Sequence, residues 1–438
     1  MNPIATGLNE TLQSVSPSVF SMLSELGKEL FFPKGILSQS AEAKEKAHKY
    51  NATIGIATEG GEAMHLNGID KYYNDLNVSD VYPYAKPAGR PELRRLWGEK
   101  IKRDNPSIQN KNFSEPIVTS ALTHGLSIVA DLFMDAGDVL ISPDKLWGNY
   151  RLTFCIRRKA EIVTYPLFKN NQCFNIEAFE QTISEQAKRK ERLVVILNFP
   201  NNPTGYTPSV EEAQQIYAVI KKYAEQGTKI VTVSDDAYFG LFFEDSIKES
   251  LFSGLCDLHK NVLAIKLDGA TKEQFAWGFR TGFITFGTGC DDADKVYQAL
   301  EGKVKGIIRG TISSCTHSSQ TIIEKFLQDP SYRSSLQQKF EIMKGRAQKL
   351  KSVLSTDKYD DAWEFYPFNS GYFMCFRMKT VNAETLRVHL LDKYGVGTIS
   401  VGDEDLRVAF SCTEESQIED LVSIIYQGVQ DLRATKMT

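Results

Sequence analysis

Between residues 115 and 290, short apolar runs alternate with stretches of helical periodicity. The runs cover residues 116–119, 138–142, 161–165, 193–197, 229–233, 261–265 and 282–286. Most are continuously apolar, which is how strands read when helices cover both faces of their sheet. The intervening helices carry boundary signals of their own. Ser209-Val-Glu-Glu212 fits a capping box, apolar positions follow at Ile216 and Tyr223, and Gly227 ends the segment. The pattern predicts an α/β fold built on a mostly parallel sheet flanked by helices.

Past residue 292 the texture changes. Residues 292–355 read as polar and largely helical. Short strands follow at 370–376 and 405–410, with a helix between them and a closing helix from Glu414, as in a smaller α+β domain. The first fifty residues hold the apolar Leu30-Phe-Phe-Pro33, expected to pack against one or both domains. The expected division is an N-terminal segment over 1–55 packing with the small domain, a large domain over 56–325 and a small C-terminal domain over 326–438. There is no internal repeat and no low-complexity segment.

Composition narrows the partners. The 438 residues are 42% hydrophobic and 24% charged, ordinary for globular material of about two domains. A net charge of −4 recommends neither nucleic acid nor a membrane surface. The dense basic run Lys188–Arg192 reads as a solvated helix end. No run approaches the roughly eighteen apolar residues of a membrane helix. The first lysine is Lys28, so the N-terminus lacks the basic region of a secretory signal. Seven dispersed cysteines suit a reducing, cytoplasmic setting and offer no zinc spacing. With no His-Glu-x-x-His pattern among the six histidines, no metal site is expected.

Ligands of open α/β sheets gather at the carboxyl ends of the strands, so the residues after each strand matter most. After 193–197 comes Asn198-Phe-Pro-Asn-Asn-Pro-Thr-Gly205, which could be a plain turn. After 229–233 comes Ser234-Asp-Asp-Ala-Tyr238. Two carboxylates continuing a buried strand are costly without partners, and successive strand residues face opposite ways. Asp235 and Tyr238 could share a site once the chain turns; a solvated loop is the alternative. After 261–265 comes Asp268-Gly-Ala-Thr-Lys272, with Arg280 eight residues beyond the lysine. Here Thr271-Lys-Glu-Gln274 also fits a capping box, with Lys272 an exposed first-turn residue. One chemistry accounts for all three stretches. A lysine forms a Schiff base with an aldehyde, a carboxylate holds a ring nitrogen protonated, and an arginine takes a phosphate.

In order and spacing, Asn202-Pro-Thr-Gly205, Asp235-x-Ala-Tyr238, Lys272 with Arg280, and Arg407 resemble the motifs of the fold type I pyridoxal-phosphate enzymes, specifically class I/II aminotransferases. The resemblance runs from about Asn51 to the C-terminal region. It implies pyridoxal 5'-phosphate as cofactor, with Lys272 as the Schiff-base lysine and proton carrier. Asp235 resembles the partner of the pyridine nitrogen, and Tyr238 and Asn202 the pair on the phenolic oxygen. Arg280 would clamp the phosphate. The Thr119–Gly125 turn resembles the phosphate cradle, with N–H groups from Leu122 and Thr123 at a helix N-terminus. Trp147 matches the aromatic that stacks on the ring, with a core tryptophan as the alternative.

For the substrate, Arg407 resembles the bidentate α-carboxylate anchor, and Gly55 lies in the stretch resembling the entrance. Tyr84, in Tyr82-Pro-Tyr84, resembles the tyrosine that reaches the phosphate of a neighbouring subunit, which implies a homodimer. Arg309 stands where aspartate aminotransferases carry an arginine for the distal carboxylate, although its flanks differ; a structural helix arginine is the alternative. Two departures stand out. Gly269 replaces a serine that commonly bonds the phosphate, a loss of roughly 0.5–1.5 kcal/mol, and Ala121 replaces a common glycine of the cradle. The resemblance implies amino-group transfer between an L-amino acid, acidic or aromatic, and a 2-oxo acid such as 2-oxoglutarate. A lyase using the same cofactor for β-elimination or decarboxylation is the alternative. A cofactor-binding regulator would need a DNA-binding helix-turn-helix, for which the N-terminus has no basic domain.

Overall fold

The structure is a computed structural model that describes residues 1–32 and 35–437, so Pro33 of the apolar Leu30–Pro33 run lies outside the described residues. Seven strands form the large sheet: β1 (Ile117–Thr119), β2 (Val139–Pro143), β3 (Glu161–Tyr165), β4 (Arg192–Asn198), β5 (Lys229–Asp235), β6 (Val262–Gly269) and β7 (Gly282–Thr288). Their spatial order is β1-β7-β6-β5-β4-β2-β3. β7 runs against both of its neighbours, and the remaining pairings are parallel. The continuous apolar runs have the cause that their pattern implies. Leu193–Leu197 is buried throughout, as is all of β2, whereas β3 at the sheet edge is partly exposed.

Helices Ala121–Phe133, Ile176–Ala187 and Val210–Glu225 connect the strands. The last starts at the expected capping box, in which the Ser209 hydroxyl accepts from the Glu212 N–H and the Glu212 carboxylate accepts from the Ser209 N–H. Register then decides what meets at the carboxyl ends. Asp235 pairs with Asn198 on one side and Leu267 on the other, so β4 and β5 end level and β6 runs two residues past them. β6 runs past the apolar pattern to Gly269, because β7 continues to pair with it there.

The smaller sheet is antiparallel, with β8 (Trp363–Phe365), β9 (Phe373–Met378), β10 (Ile399–Val401) and β11 (Asp405–Ala409) in the order β8-β9-β11-β10. The 23-residue helix Tyr332–Leu354 leads into it. Helix His317–Leu327, within which residue 325 falls, packs against Val78–Val81 and Pro91–Asp104. Tyr50–Asn51 pairs in parallel with Val396–Gly397, and Gln39 donates to the Ser400 hydroxyl at 3.0 Å. Farther towards the N-terminus, Glu29 makes an ion pair with Lys159 beside the large sheet.

Candidate active site

A cavity of about 250 Å³ opens at the carboxyl ends of β4, β5 and β6. It brings together ten sequence-predicted residues: Gly55, Leu122, Thr123, Trp147, Asn202, Asp235, Tyr238, Lys272, Arg280 and Arg407. They come from loops, from the end of β5, from the helices Ala121–Phe133 and Ala270–Glu273 and from β11 of the small sheet, so the site exists only where the two sheets approach.

Asp235, the last residue of β5, is buried and points into this cavity. Its Oδ2 accepts from the Tyr150 hydroxyl at 2.5 Å, while Oδ1 has no protein partner. Burial pushes its carboxyl pKa up; the Tyr150 hydroxyl, Lys272 and the Ala237 N–H oppose that rise. Asp236 faces the other way, as strand alternation requires. It pairs with Lys266 and accepts from the Ser250 hydroxyl at 2.6 Å.

Lys272 sits in the short helix Ala270–Glu273, directly after β6. Burial lowers its ammonium pKa to about 8, Arg280 pushes the same way, and Asp235 opposes both. Its Nζ lies 5.0 Å from the Tyr238 ring centre. The capping-box alternative for Thr271–Gln274 fails here: the helix already starts at Ala270, and the buried Thr271 hydroxyl has no partner.

Arg407 is fully buried. One terminal nitrogen donates to Asn202 Oδ1 at 3.0 Å and the other to the Thr53 carbonyl at 2.8 Å, while Nε is unpaired. The guanidinium lies 4.1 Å from the Phe373 ring centre, which fixes its plane. With Oδ1 on Arg407, the Asn202 amide nitrogen is left to donate into the cavity.

At the other end, the first turn of Ala121–Phe133 has no side-chain cap, so its N–H groups remain open. Ala121 is left-handed at φ 62°, which is why a glycine serves well at this position. Arg280 lies exposed on the rim, with only a long 3.4 Å bond to the Trp277 carbonyl. Gly269 is required by its neighbours. A Cβ there would stand 2.6 Å from both Gly282 Cα and the Thr281 carbonyl oxygen, so no serine fits.

These open valences match the implied cofactor. An unpaired carboxylate oxygen suits a protonated ring nitrogen. The free helix N–H groups, the Thr271 hydroxyl and Arg280 suit a phosphate, and an amine whose pKa burial has lowered suits an aldehyde. Trp147 is half-buried on the cavity wall, edge-on to Tyr150 at 5.6 Å, so it is no ordinary core tryptophan.

Two sequence-predicted residues lie elsewhere. Tyr84 is 89% exposed, and Arg309 is exposed on helix Ala293–Thr311, donating to the Ser313 hydroxyl at 2.7 Å. Four residues were missed: Tyr150, Asn198, Thr271 and Phe373. Asn198 accepts from the Asn202 N–H at 2.9 Å and donates to the Asp235 carbonyl at 3.0 Å, so it joins the ends of β4 and β5. Its position as the last residue of a strand was the available signal. Tyr150 had only its proximity to Trp147.

The sequence over residues 75–425 matches the family model of class I and II aminotransferases. A probable aspartate/prephenate aminotransferase of Aquifex aeolicus is 24% identical over 352 residues, 77% of this chain and 81% of that protein. The corresponding Rickettsia conorii protein is 27% identical over 245 residues, and the match spans 55% of this chain and 55% of that relative's length. A crystal structure of an aminotransferase from Anaerococcus prevotii superposes with a TM-score of 0.83 at 22% identity, covering 93% of this chain and 98% of the other. The chain therefore belongs to the class I and II aminotransferases, a family that works with pyridoxal 5'-phosphate.

Proposed function

We propose that the protein transfers an amino group between an L-amino acid and a 2-oxo acid, with aspartate and 2-oxoglutarate first among substrates. The observation that carries this reading is one cavity holding a low-pKa lysine, a half-paired buried carboxylate and two arginines at opposite ends. The relatives named for aspartate support the choice of an acidic substrate.

The bound cofactor supplies an aldehyde carbon for the amine and a ring that withdraws electrons. The protein residues do the rest. Arg407 takes the substrate α-carboxylate on its planar fork, held rigid by Asn202, Thr53 and Phe373. Asp235 keeps the ring nitrogen protonated, and Tyr150 keeps Asp235 charged and oriented. Tyr238 and Asn202 donate to the phenolic oxygen. Lys272, its amine pKa lowered by burial, would serve as the base that takes the proton from the substrate Cα. Leu122, Thr123 and Arg280 would hold the phosphate, and Trp147 would cover the ring.

The active unit in this reading is a homodimer. Tyr84 reaches the partner's phosphate and Arg309 its distal substrate carboxylate, which accounts for two chemistry-bearing side chains left exposed on one chain. In this reading the N-terminal segment over 1–55 packs with the small domain over 326–438, beside the cofactor-binding domain over 56–325. Among the described residues no helix is long and apolar enough to cross a membrane, and seven free cysteines suit the cytoplasm.

The test is the absorption spectrum of the purified protein before and after excess L-aspartate, with no oxo acid. The expected result is loss of the lysine-linked cofactor band and growth of the shorter-wavelength amine form. A band moved by aromatic but not acidic amino acids would remove the role of Arg309. A band unmoved by any amino acid would overturn amino transfer.

A further inference from the structure

A second cavity, of about 440 Å³, lies outside the site described above, between the chain following β5 and the start of helix Tyr332–Leu354. Its volume falls within the common range for small-molecule sites. Phe239, Leu241, Phe242, Glu273, Phe275 and Tyr332 are its buried lining, and Lys248 and Arg333 stand exposed at its mouth.

Three features state the chemistry of an occupant. The aromatic lining suits a flat ring. The mouth carries two exposed cations, Arg333 and Lys248, the latter within the field of Glu244 and Asp245. Among the described residues Arg333 makes neither an ion pair nor a side-chain hydrogen bond, and Lys248 reaches only the Glu244 carbonyl and the Ser246 hydroxyl. Deepest in chemical terms is Glu273, whose Oε1 takes the Lys100 ammonium while the buried Oε2 has no partner. A buried acceptor left open is costly, so a donor placed there adds to binding. Burial has already moved the Glu273 carboxyl up to about 7, against the pull of Lys100.

We propose that this cavity binds a small aromatic carboxylate bearing a ring hydroxyl, with the ring against Phe239 and Phe275. The hydroxyl donates to Glu273 Oε2, and the carboxylate sits between Arg333 and Lys248. The site is separate from the transfer reaction but tied to it. Glu273 follows Lys272 directly, and Phe275 stacks at 6.4 Å on Tyr372, whose hydroxyl donates to the Lys272 carbonyl at 3.0 Å. An occupant also bridges the chain following β5 to the helix leading into the small sheet.

The test is calorimetric titration of the cofactor-loaded protein with 4-hydroxyphenylacetate. Because such an acid also suits Arg407, the titration is made in an Arg407→Ala background. One site is expected there, weakened at least about tenfold by adding Arg333→Glu and by replacing the ligand with phenylacetate. Leu336→Trp, which fills the cavity from its wall, should abolish it. Arg333 is exposed, so its variant folds, and retained cofactor absorption verifies this. Absence of binding in Arg407→Ala would overturn the proposal. So would binding that Arg333→Glu and Leu336→Trp both leave unchanged.

Discussion

Asp235 ends β5, Asp236 follows it directly and both are buried, yet they serve two regions built on opposite rules. On one face, Asp236 joins a closed ionic cluster. Lys266 pairs with Asp236 and with Asp268 at 3.2 Å, and the Trp97 indole donates to Asp268 at 3.1 Å. Burial works against the Lys266 charge, but the two carboxylates outweigh it and hold the ammonium protonated. On the other face, Asp235, Thr271 and Arg407 each keep a buried polar atom without a protein partner. Buried polar groups are nearly always satisfied, so open ones concentrated in one cavity mark where a ligand completes the structure. The closed cluster supports the shape; the open one carries the chemistry.

The comparison can be broken or sharpened by substitution. The largest effect is expected for Lys272→Ala, which should lose all turnover and the lysine-linked cofactor band, both read by absorption. Normal turnover would sink the assignment of this lysine. Next come the two aspartates, whose roles should separate. Asp235→Asn should cut turnover by about 100-fold or more with little change in denaturant midpoint. Asp236→Asn leaves a buried charge short of a partner and should cost about 3–5 kcal/mol of stability, measured by chemical unfolding.

A pH profile gives the third. The Lys272 amine must be neutral to attack, and its pKa is lowered to about 8. Cofactor attachment to the cofactor-free protein should therefore speed up about tenfold per pH unit below 8 and level off above it. A rise continuing to the ordinary lysine range would show that burial does not tune this group. The smallest effect is expected for Gly269→Ala, whose methyl meets backbone on both contacts. It should destabilise by about 1–3 kcal/mol, visible in thermal unfolding, and neutral behaviour would mean β6 and β7 can separate there.

Much of this was readable from the order of residues. Continuous apolar runs located all seven strands of the large sheet, because a strand covered on both faces has little room for polar side chains. Asp235 and Lys272 stood out because each follows such a run, whereas Asn202 and Arg407 were singled out only through the resemblance to class I/II aminotransferases. The reversal of β7 was not readable, since an apolar run carries no direction. Nor was the inclusion of Asp268 in β6, since a polar residue within a sheet depends on a partner elsewhere, here Lys266 and Trp97. Tyr150 and Phe373 were missed because an aromatic residue in a core-rich sequence looks the same whether it packs or holds a functional group.

By itself the sequence determined the layered α/β architecture and the spacing of the lysine, carboxylate and arginines, because hydrophobic periodicity and strand-end position are local properties. The tertiary structure decided which of two neighbouring aspartates meets the ligand space and which side chains orient it. It also decided why Gly269 cannot be a serine. Those outcomes depend on register and on how closely β6 and β7 approach, leaving no room for a Cβ at Gly269, features set by pairing between separate strands.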